Sequence, residues 1–272
     1  DMLTLQRQEE IMNILRQKKS VTVNELSATL FASGSTIRRD LAELENAGLI
    51  RRSHGGAVLF ESSSDEASAR VREQENRRQK KIIGELAAGL LHNSSSLFLD
   101  SSSTAGAMIP HFSDFSDLTV ITNGLRNALL MAENPDLRVI IAGGTVRPNS
   151  GSLYGADTLN YLSGLNPGYC FISCGGLSGS GITESTFEQG AIKRQMLHGA
   201  EKRVLLCDSS KFEKKCLYRI GSLEEIDILV SDQMPSPQLF ACLAQAGVRI
   251  IVPDGKQTVS YTHLTLPTNS RV

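Results

Sequence analysis

Apolar positions follow two patterns along the chain, with the change near residue 82. Before it they are spaced for helices. Ile11, Ile14 and Leu15 share one face of a helix predicted from about Gln6 to Gln17, and Val23, Leu26 and Leu30 share one face of a second. Ile37, Leu41 and Leu44 recur at i, i+4 and i+7 in a third. Thr22-Val23-Asn24-Glu25 has the capping-box form, in which the Thr and Glu side chains satisfy each other's backbone N–H groups. Ser33 is a start signal for the third helix and Gly48 a stop. Leu49 to His54 followed by Gly55-Gly56 reads as a basic hairpin. Helix, short helix, tight turn, longer helix, hairpin is the order of a winged helix-turn-helix.

From Ile82 onward, short apolar runs alternate with helical segments. Strands are predicted at Leu97–Leu99, Leu118–Thr122, Arg138–Ala142, Cys170–Cys174, Arg203–Cys207, Ile226–Ser231 and Val248–Val252. Helices are predicted at Ile82–Leu91, Gly124–Glu133, Phe187–Ala200 and Pro237–Ala246. Buried strands alternating with helices imply an α/β fold with a mainly parallel sheet covered on both faces. The segment Glu61–Lys81 is serine-rich and then densely charged with both signs; it reads as a hinge or exposed helix. The threonine-rich Gln257–Val272 breaks the pattern and reads as a non-native tail outside the fold. The expected organisation is therefore residues 2–59 as a winged helix-turn-helix, 60–81 as linker, 82–256 as an α/β domain, and 257–272 as tail.

Charge changes the picture locally. The net charge of −1 excludes a polyelectrolyte, so any binding to nucleic acid has to come from a patch. Arg38 and Arg39 on the third helix and Arg51 and Arg52 on the hairpin supply one. On a 3.6-residue period Ser35 and Arg39 lie opposite the buried stripe, with Thr36 and Arg38 on its flanks. Guanidinium groups suit phosphate and the guanine edge, which makes this a helix offered to a DNA major groove. The plainer alternative is a solvated face on which Asp40 pairs with a nearby arginine. The five cysteines, at 170, 174, 207, 216 and 242, are scattered without metal-ligand spacing. They read as reduced core residues of a cytoplasmic protein, with no metal and no cofactor implied. No apolar run approaches the ~20 residues of a membrane span.

The ends of the predicted strands carry the remaining chemistry. Asp100-Ser101-Ser102-Ser103-Thr104 follows the first strand and opens a helix, where backbone N–H groups and hydroxyls make an anion cradle. Thr122-Asn123-Gly124, Gly143-Gly144-Thr145-Val146-Arg147, Cys174-Gly175-Gly176 and Asp208-Ser209-Ser210-Lys211 end later strands. Ligands of parallel sheets bind beyond such ends. Hydroxyls, amides, Arg147 and Lys211 suit a phosphate; Asp100 and Asp208 suit sugar hydroxyls; the glycines let a ligand approach the backbone. Taken singly, serines and glycines at strand-to-helix turns are ordinary capping residues.

The run from Gln8 to Val58, with VNELS, STIRRDLAELENAGLIRR and HGGA, resembles the DNA-binding half of the DeoR family of bacterial repressors. The resemblance implies DNA contacts from Ser33, Ser35, Thr36, Arg38 and Arg39, and wing contacts from Arg51, Arg52 and His54. FLDSSST, TNG, AGGTVR, CGG and DSSKF extend it to about Pro253. They resemble the sensor domain of the same family, which is similar to ribose-5-phosphate isomerase and binds phosphorylated sugars or related metabolites. Ser102 stands where that family usually has glycine, and Ser103 where it has its first threonine. The implied effector contacts are Asp100, Ser101, Ser103, Thr104, Thr122, Asn123, Gly144, Arg147, Gly175, Asp208 and Lys211. Also implied are double-stranded operator DNA as partner, a homo-oligomer (dimer or tetramer), and relief of repression of a carbohydrate operon by a phosphorylated sugar. The alternative is an enzyme, a sugar-phosphate isomerase or acyl-transfer protein with a DNA-binding head, in which Glu184 or Glu188 is a general base. Helix-surface and capping roles for those two glutamates compete with it.

Overall fold

The computed structural model describes residues 4–46, 50–53, 55–59, 69–254 and 257–258. Gly48, His54 and residues 60–68 of the predicted linker lie outside them. The chain divides into two compact units, Asp1–Glu75 and Asn76–Val272.

In the first unit, α1 (Thr4–Lys18), β1 (Ser20–Thr22), α2 (Val23–Leu30) and α3 (Gly34–Asn46) precede the hairpin of β2 (Ile50–Ser53) and β3 (Gly56–Leu59), and α4 (Ala69–Gln74) follows. The predicted stripes form the core: Ile11, Leu15, Leu26 and Ile37 are fully buried and Leu41 almost so. The capping box of α2 is formed, with Thr22 N–H donating to Glu25 Oε2 at 2.8 Å and Glu25 N–H to Thr22 Oγ1 at 3.2 Å. Ser33 opens α3, its Oγ accepting from Thr36 N–H at 3.2 Å. Strand β1 is an addition to the expected order. It pairs antiparallel with β3 and widens the hairpin to three strands in the order β1-β3-β2. Gly56 permits this, because a Cβ there would lie 2.3 Å from Val21 O. Between α2 and α3 the chain turns at Phe31, which is in the left-handed region at φ 50° and 95% exposed.

The second unit begins with α5 (Arg77–Ala88), β4 (Ser96–Leu99), α6 (Ser103–Gly106), β5 (Leu118–Thr122), α7 (Leu125–Ala132) and β6 (Leu137–Ile141). A small ladder of β7 (Thr145–Val146) and β8 (Leu153–Tyr154) and then α8 (Ala156–Ser163) lead to β9 (Tyr169–Ser173). Next come β10 (Gly176–Ser178), β11 (Gly181–Glu184), α9 (Phe187–Gly199), β12 (Lys202–Leu206), β13 (Tyr218–Gly221), β14 (Ile228–Val230), α10 (Pro237–Gln245) and β15 (Arg249–Ile251). The seven predicted strands make one sheet in the order β15-β14-β12-β9-β4-β5-β6, with every neighbouring pair parallel. Both faces are covered. On β4, Leu97 and Leu99 pack with Ile83, Met108 and Phe112, while Phe98 packs with Ile192 and Met196 on the other side.

Three features depart from the sequence reading. Helix α5 begins at Arg77, inside the segment read as linker, and Lys80 is only 7% exposed. Lys80, Ile83 and Ala87 share a buried face, and the lysine's charge concealed that stripe. A second, antiparallel sheet of β10, β11 and β13 lies in stretches given no strand prediction. Finally, Gln257–Thr258, the first residues of the predicted tail, pair as β17 with β16 (Pro253–Asp254).

Candidate functional site

Helix α3 presents its polar face as its periodicity requires. Ser33, Ser35, Arg38 and Arg39 are exposed and Thr36 is half-buried. The three hydroxyls cluster at the helix start, with Ser33 Oγ 2.8 Å from both Ser35 Oγ and Thr36 Oγ1. Asp40 does not pair with the arginines beside it. It is fully buried and takes a two-point contact from Arg7 of α1, Nε to Oδ2 at 2.5 Å and Nη2 to Oδ1 at 3.1 Å. That contact, together with the neighbouring charge, raises the Arg7 pKa against the cost of burying it. Arg52 is exposed on β2, and its backbone N–H donates to Glu45 Oε1 at 2.9 Å, tying the wing to α3. His54 and the side chain of Arg51 lie outside the described residues.

In the second unit the parallel sheet brings the five polar loops to one end. Asp100 is their hinge point. Its Oδ1 accepts from Ser102 N–H at 2.9 Å and from Ser102 Oγ–H, and its Oδ2 accepts from Ser173 N–H at 3.0 Å at the end of β9. Ser102 turns inward as the cap of α6, its Oγ accepting from Ala105 N–H at 3.1 Å. Its side chain is 8% exposed and braces the loop. Lys80 Nζ reaches the same loop and donates to Ser103 Oγ at 3.1 Å. Across the site, Gln189 of α9 donates to Ser152 Oγ at 2.5 Å and accepts from Ser101 Oγ at 3.5 Å. Arg147 meets Glu188 at 3.4 Å.

Behind the loops lies a buried ion cluster. Lys193 of α9, 5% exposed, hydrogen-bonds Glu184 of β11 and stands 3.5 Å from Asp100 Oδ2. Burial pulls the Lys193 pKa down, but the two carboxylates outweigh it and hold the pKa above the ordinary value. Burial pushes the Glu184 carboxyl up, but the Lys193 charge and hydrogen bond outweigh that and hold it below the usual carboxylate range. At neutral pH Lys193 and Glu184 are therefore both ionised.

The residues expected at the site divide by accessibility. Ser101, Ser103, Arg147, Gly175 and Lys211 are partly accessible and Gly144 is exposed, whereas Thr104, Thr122 and Asn123 are buried. Asn123 Nδ2 donates to Leu153 O at 3.1 Å, and Thr122 Oγ1 accepts from Gly124 N–H at 3.0 Å. Asp100 and Asp208 do not stand open to sugar hydroxyls, being 1% and 2% exposed. Asp208 caps its own loop, accepting from Ser210 N–H at 3.2 Å and from Asn76 Nδ2 at 3.1 Å. Both glycines have packing reasons. A Cβ on Gly144, at φ +137°, would lie 2.0 Å from Thr158 Oγ1, and one on Gly175 would lie 2.8 Å from Cys216 Sγ. Of the two candidate bases, Glu184 is a buried strand residue rather than a helix-surface one, and Glu188 is at the start of α9. Sequence reasoning missed Asn76, Lys80, Gln189 and Lys193. The buried spacing of α5 carried a signal for Lys80, but the partners of Lys193 come from other elements.

Cys174 and Cys207 lie side by side at the ends of β9 and β12, with Sγ atoms 3.7 Å apart and both thiols free. The hydrogen bond with Cys174 and burial push the Cys207 thiol well up. Among the described residues no helix is long and apolar enough to cross a membrane.

Residues 7–63 match the DeoR-like helix-turn-helix domain, and residues 75–233 match the DeoR C-terminal sensor domain. The HTH-type transcriptional regulator GolR of Listeria innocua serovar 6a is 35% identical, over 93% of this chain and 100% of its own length. The HTH-type transcriptional repressor GlcR of Bacillus subtilis (strain 168) is 32% identical, over 90% of this chain and 94% of its own. The glycerol-3-phosphate regulon repressor of Escherichia coli (strain K12) is 29% identical, over 90% and 97%. Among solved structures, the ribose 5-phosphate isomerase A of Methanocaldococcus jannaschii aligns with a TM-score of 0.41 at 12% identity, over 70% of this chain and 100% of that one.

Proposed function

This chain belongs to the DeoR family of transcriptional regulators, and on that premise we propose that it is a repressor of a carbohydrate-metabolism operon, released from DNA by a phosphorylated sugar. The observation that carries the reading is the match of both family domains, in order, along one chain. The names of the repressor relatives support it, one of them a glycerol-3-phosphate regulon repressor. We assign DNA contact to Ser33, Ser35, Thr36, Arg38 and Arg39 of the α3 region and to the wing arginines, within residues 2–59. Effector binding is assigned to the unit that follows, where Ser101, Ser103, Arg147 and Lys211 offer hydroxyls and positive charge to a phosphate, with Lys80 behind them. The protein acts in the cytoplasm as a homo-oligomer whose paired recognition helices enter successive major grooves.

A sensor is favoured over a catalyst. A general base for isomerisation works best with a pKa near the operating pH, whereas Lys193 holds Glu184 low and takes up its hydrogen-bonding capacity. Release follows only if the effector binds the DNA-free arrangement more tightly than the DNA-bound one.

The test is a melting experiment joined to a DNA-binding one. A sugar phosphate at about a hundred times its dissociation constant should add about 2.7 kcal/mol of stability, while its free sugar adds none. The same ester should weaken binding to a duplex enriched by the protein from a randomised pool. Arg39→Ala should cost about 1–3 kcal/mol of affinity for that duplex and leave the ester's thermal shift intact. An ester that stabilises the protein without altering its DNA binding would refute effector-controlled repression, and turnover of any ester would favour the enzyme.

A further inference from the structure

The turn between α2 and α3 holds a residue that the DNA-binding assignment leaves unused. Phe31 is 95% exposed, and its backbone lies in the left-handed region at φ 50°, ψ 39°. Both are unfavourable for phenylalanine. A ring in water forfeits the gain of burial, and a Cβ in that conformation crowds the next carbonyl, so glycine or asparagine usually ends a helix this way. The turn needs the conformation, since the N–H groups of Phe31 and Ala32 both donate to Ser27 O. It does not need the ring. Other exposed apolar side chains, Leu217 at 81% and Leu129 at 71%, have no positive φ and no neighbouring recognition chemistry.

Two residues beyond Phe31, Ser33 begins the hydroxyl cluster of α3, and the exposed Arg38 and Arg39 follow. Those side chains answer phosphates and polar base edges. Among the residues assigned to DNA contact on α3, only the half-buried Thr36 carries a methyl for the one apolar group in the major groove, the thymine 5-methyl, and phenylalanine is a recognised partner of that group as well. We propose that Phe31 is a further DNA-contacting and specificity-determining residue, its ring packing on a thymine methyl beside the entry point of α3. The inference rests on the reading of α3 as a DNA-recognition helix. A strained conformation that carries an exposed ring is the kind of outlier from which a functional role is inferred.

The experiment compares the full chain with Phe31→Gly and Phe31→Tyr on a duplex enriched by the unsubstituted protein from a randomised pool. The same duplex with thymines replaced one by one by deoxyuracil, which lacks the methyl, is the second probe. Phe31→Gly should bind on the order of fivefold more weakly, the worth of about one buried methyl-sized contact, while melting at the same temperature or higher. Phe31→Tyr should keep the parent affinity. Deoxyuracil at one position should weaken the parent and leave Phe31→Gly unaffected. Equal binding by the parent and Phe31→Gly would overturn the contact. So would weaker binding accompanied by a lower melting temperature or an altered assembly state, which would make the ring a brace or an interface. If the parent enriches no duplex at all, the reading of α3 fails and the Phe31 contact falls with it.

Discussion

In the first unit one buried arginine meets one buried aspartate, whereas in the second a single buried lysine serves two buried carboxylates. The Arg7–Asp40 pair meets through a two-point contact that ties α1 to the back of α3. By taking Asp40 out of reach, it leaves Arg38 and Arg39 on the exposed face without an acidic neighbour at the next position. The Lys193–Glu184–Asp100 cluster joins three elements and borders the strand-end loops. Buried ions in the first unit therefore brace a surface, while those in the second set the field of a site.

Removing one partner tests the difference most severely. Asp40→Ala should cost about 3–5 kcal/mol, because it breaks the buried two-point contact between Arg7 and Asp40. The loss should fall on amide protection within residues 4–59, and an unchanged melting profile would mean that the pair braces nothing. Lys193→Met should cost a similar amount near pH 7, about 3–5 kcal/mol, with a pH dependence set by Glu184. In the parent, Glu184 has a depressed pKa, so its contribution is present above the unfolded carboxylate value and is lost as acid protonates the folded form. Without the lysine, burial pushes the Glu184 carboxyl towards its protonated form. The variant should then regain stability relative to the parent as pH falls from 7 towards 5, and a constant deficit across that range would show that the cluster does not act through charge. The smallest effect is expected from Ser102→Ala, about 1 kcal/mol, since it removes one helix cap while leaving Asp100 bonded to the Ser102 N–H. Melting of the second unit measures it.

The regular elements were legible because burial on a helix or strand leaves a period. All seven predicted strands joined one sheet, and Ile37, Leu41 and Leu44 were buried as their spacing required. The loops of the candidate site were legible too, because each follows an apolar run. What closes them was not. Lys193 is nine residues from Glu184 and ninety-three from Asp100, and only the packing of α9 against β9 and β11 brings the three together. Arg7 and Asp40 are thirty-three residues apart on different helices. Strands β10 and β11 were missed because Gly176-Leu177-Ser178 and Gly181-Ile182-Thr183-Glu184 are short and glycine-led, and their burial includes polar groups that composition assigns to the surface.

The strand order has a consequence for where a ligand settles. From β4 the chain steps outward through β5 to β6, then returns to β9 on the other side of β4 and steps outward again through β12, β14 and β15. The boundary between β4 and β9 is thus a topological switch point, where the two halves of an open sheet diverge and leave a crevice at the strand ends. The Asp100–Ser173 hydrogen bond is the seam across that crevice. A molecule seated there would touch both halves of the sheet at once.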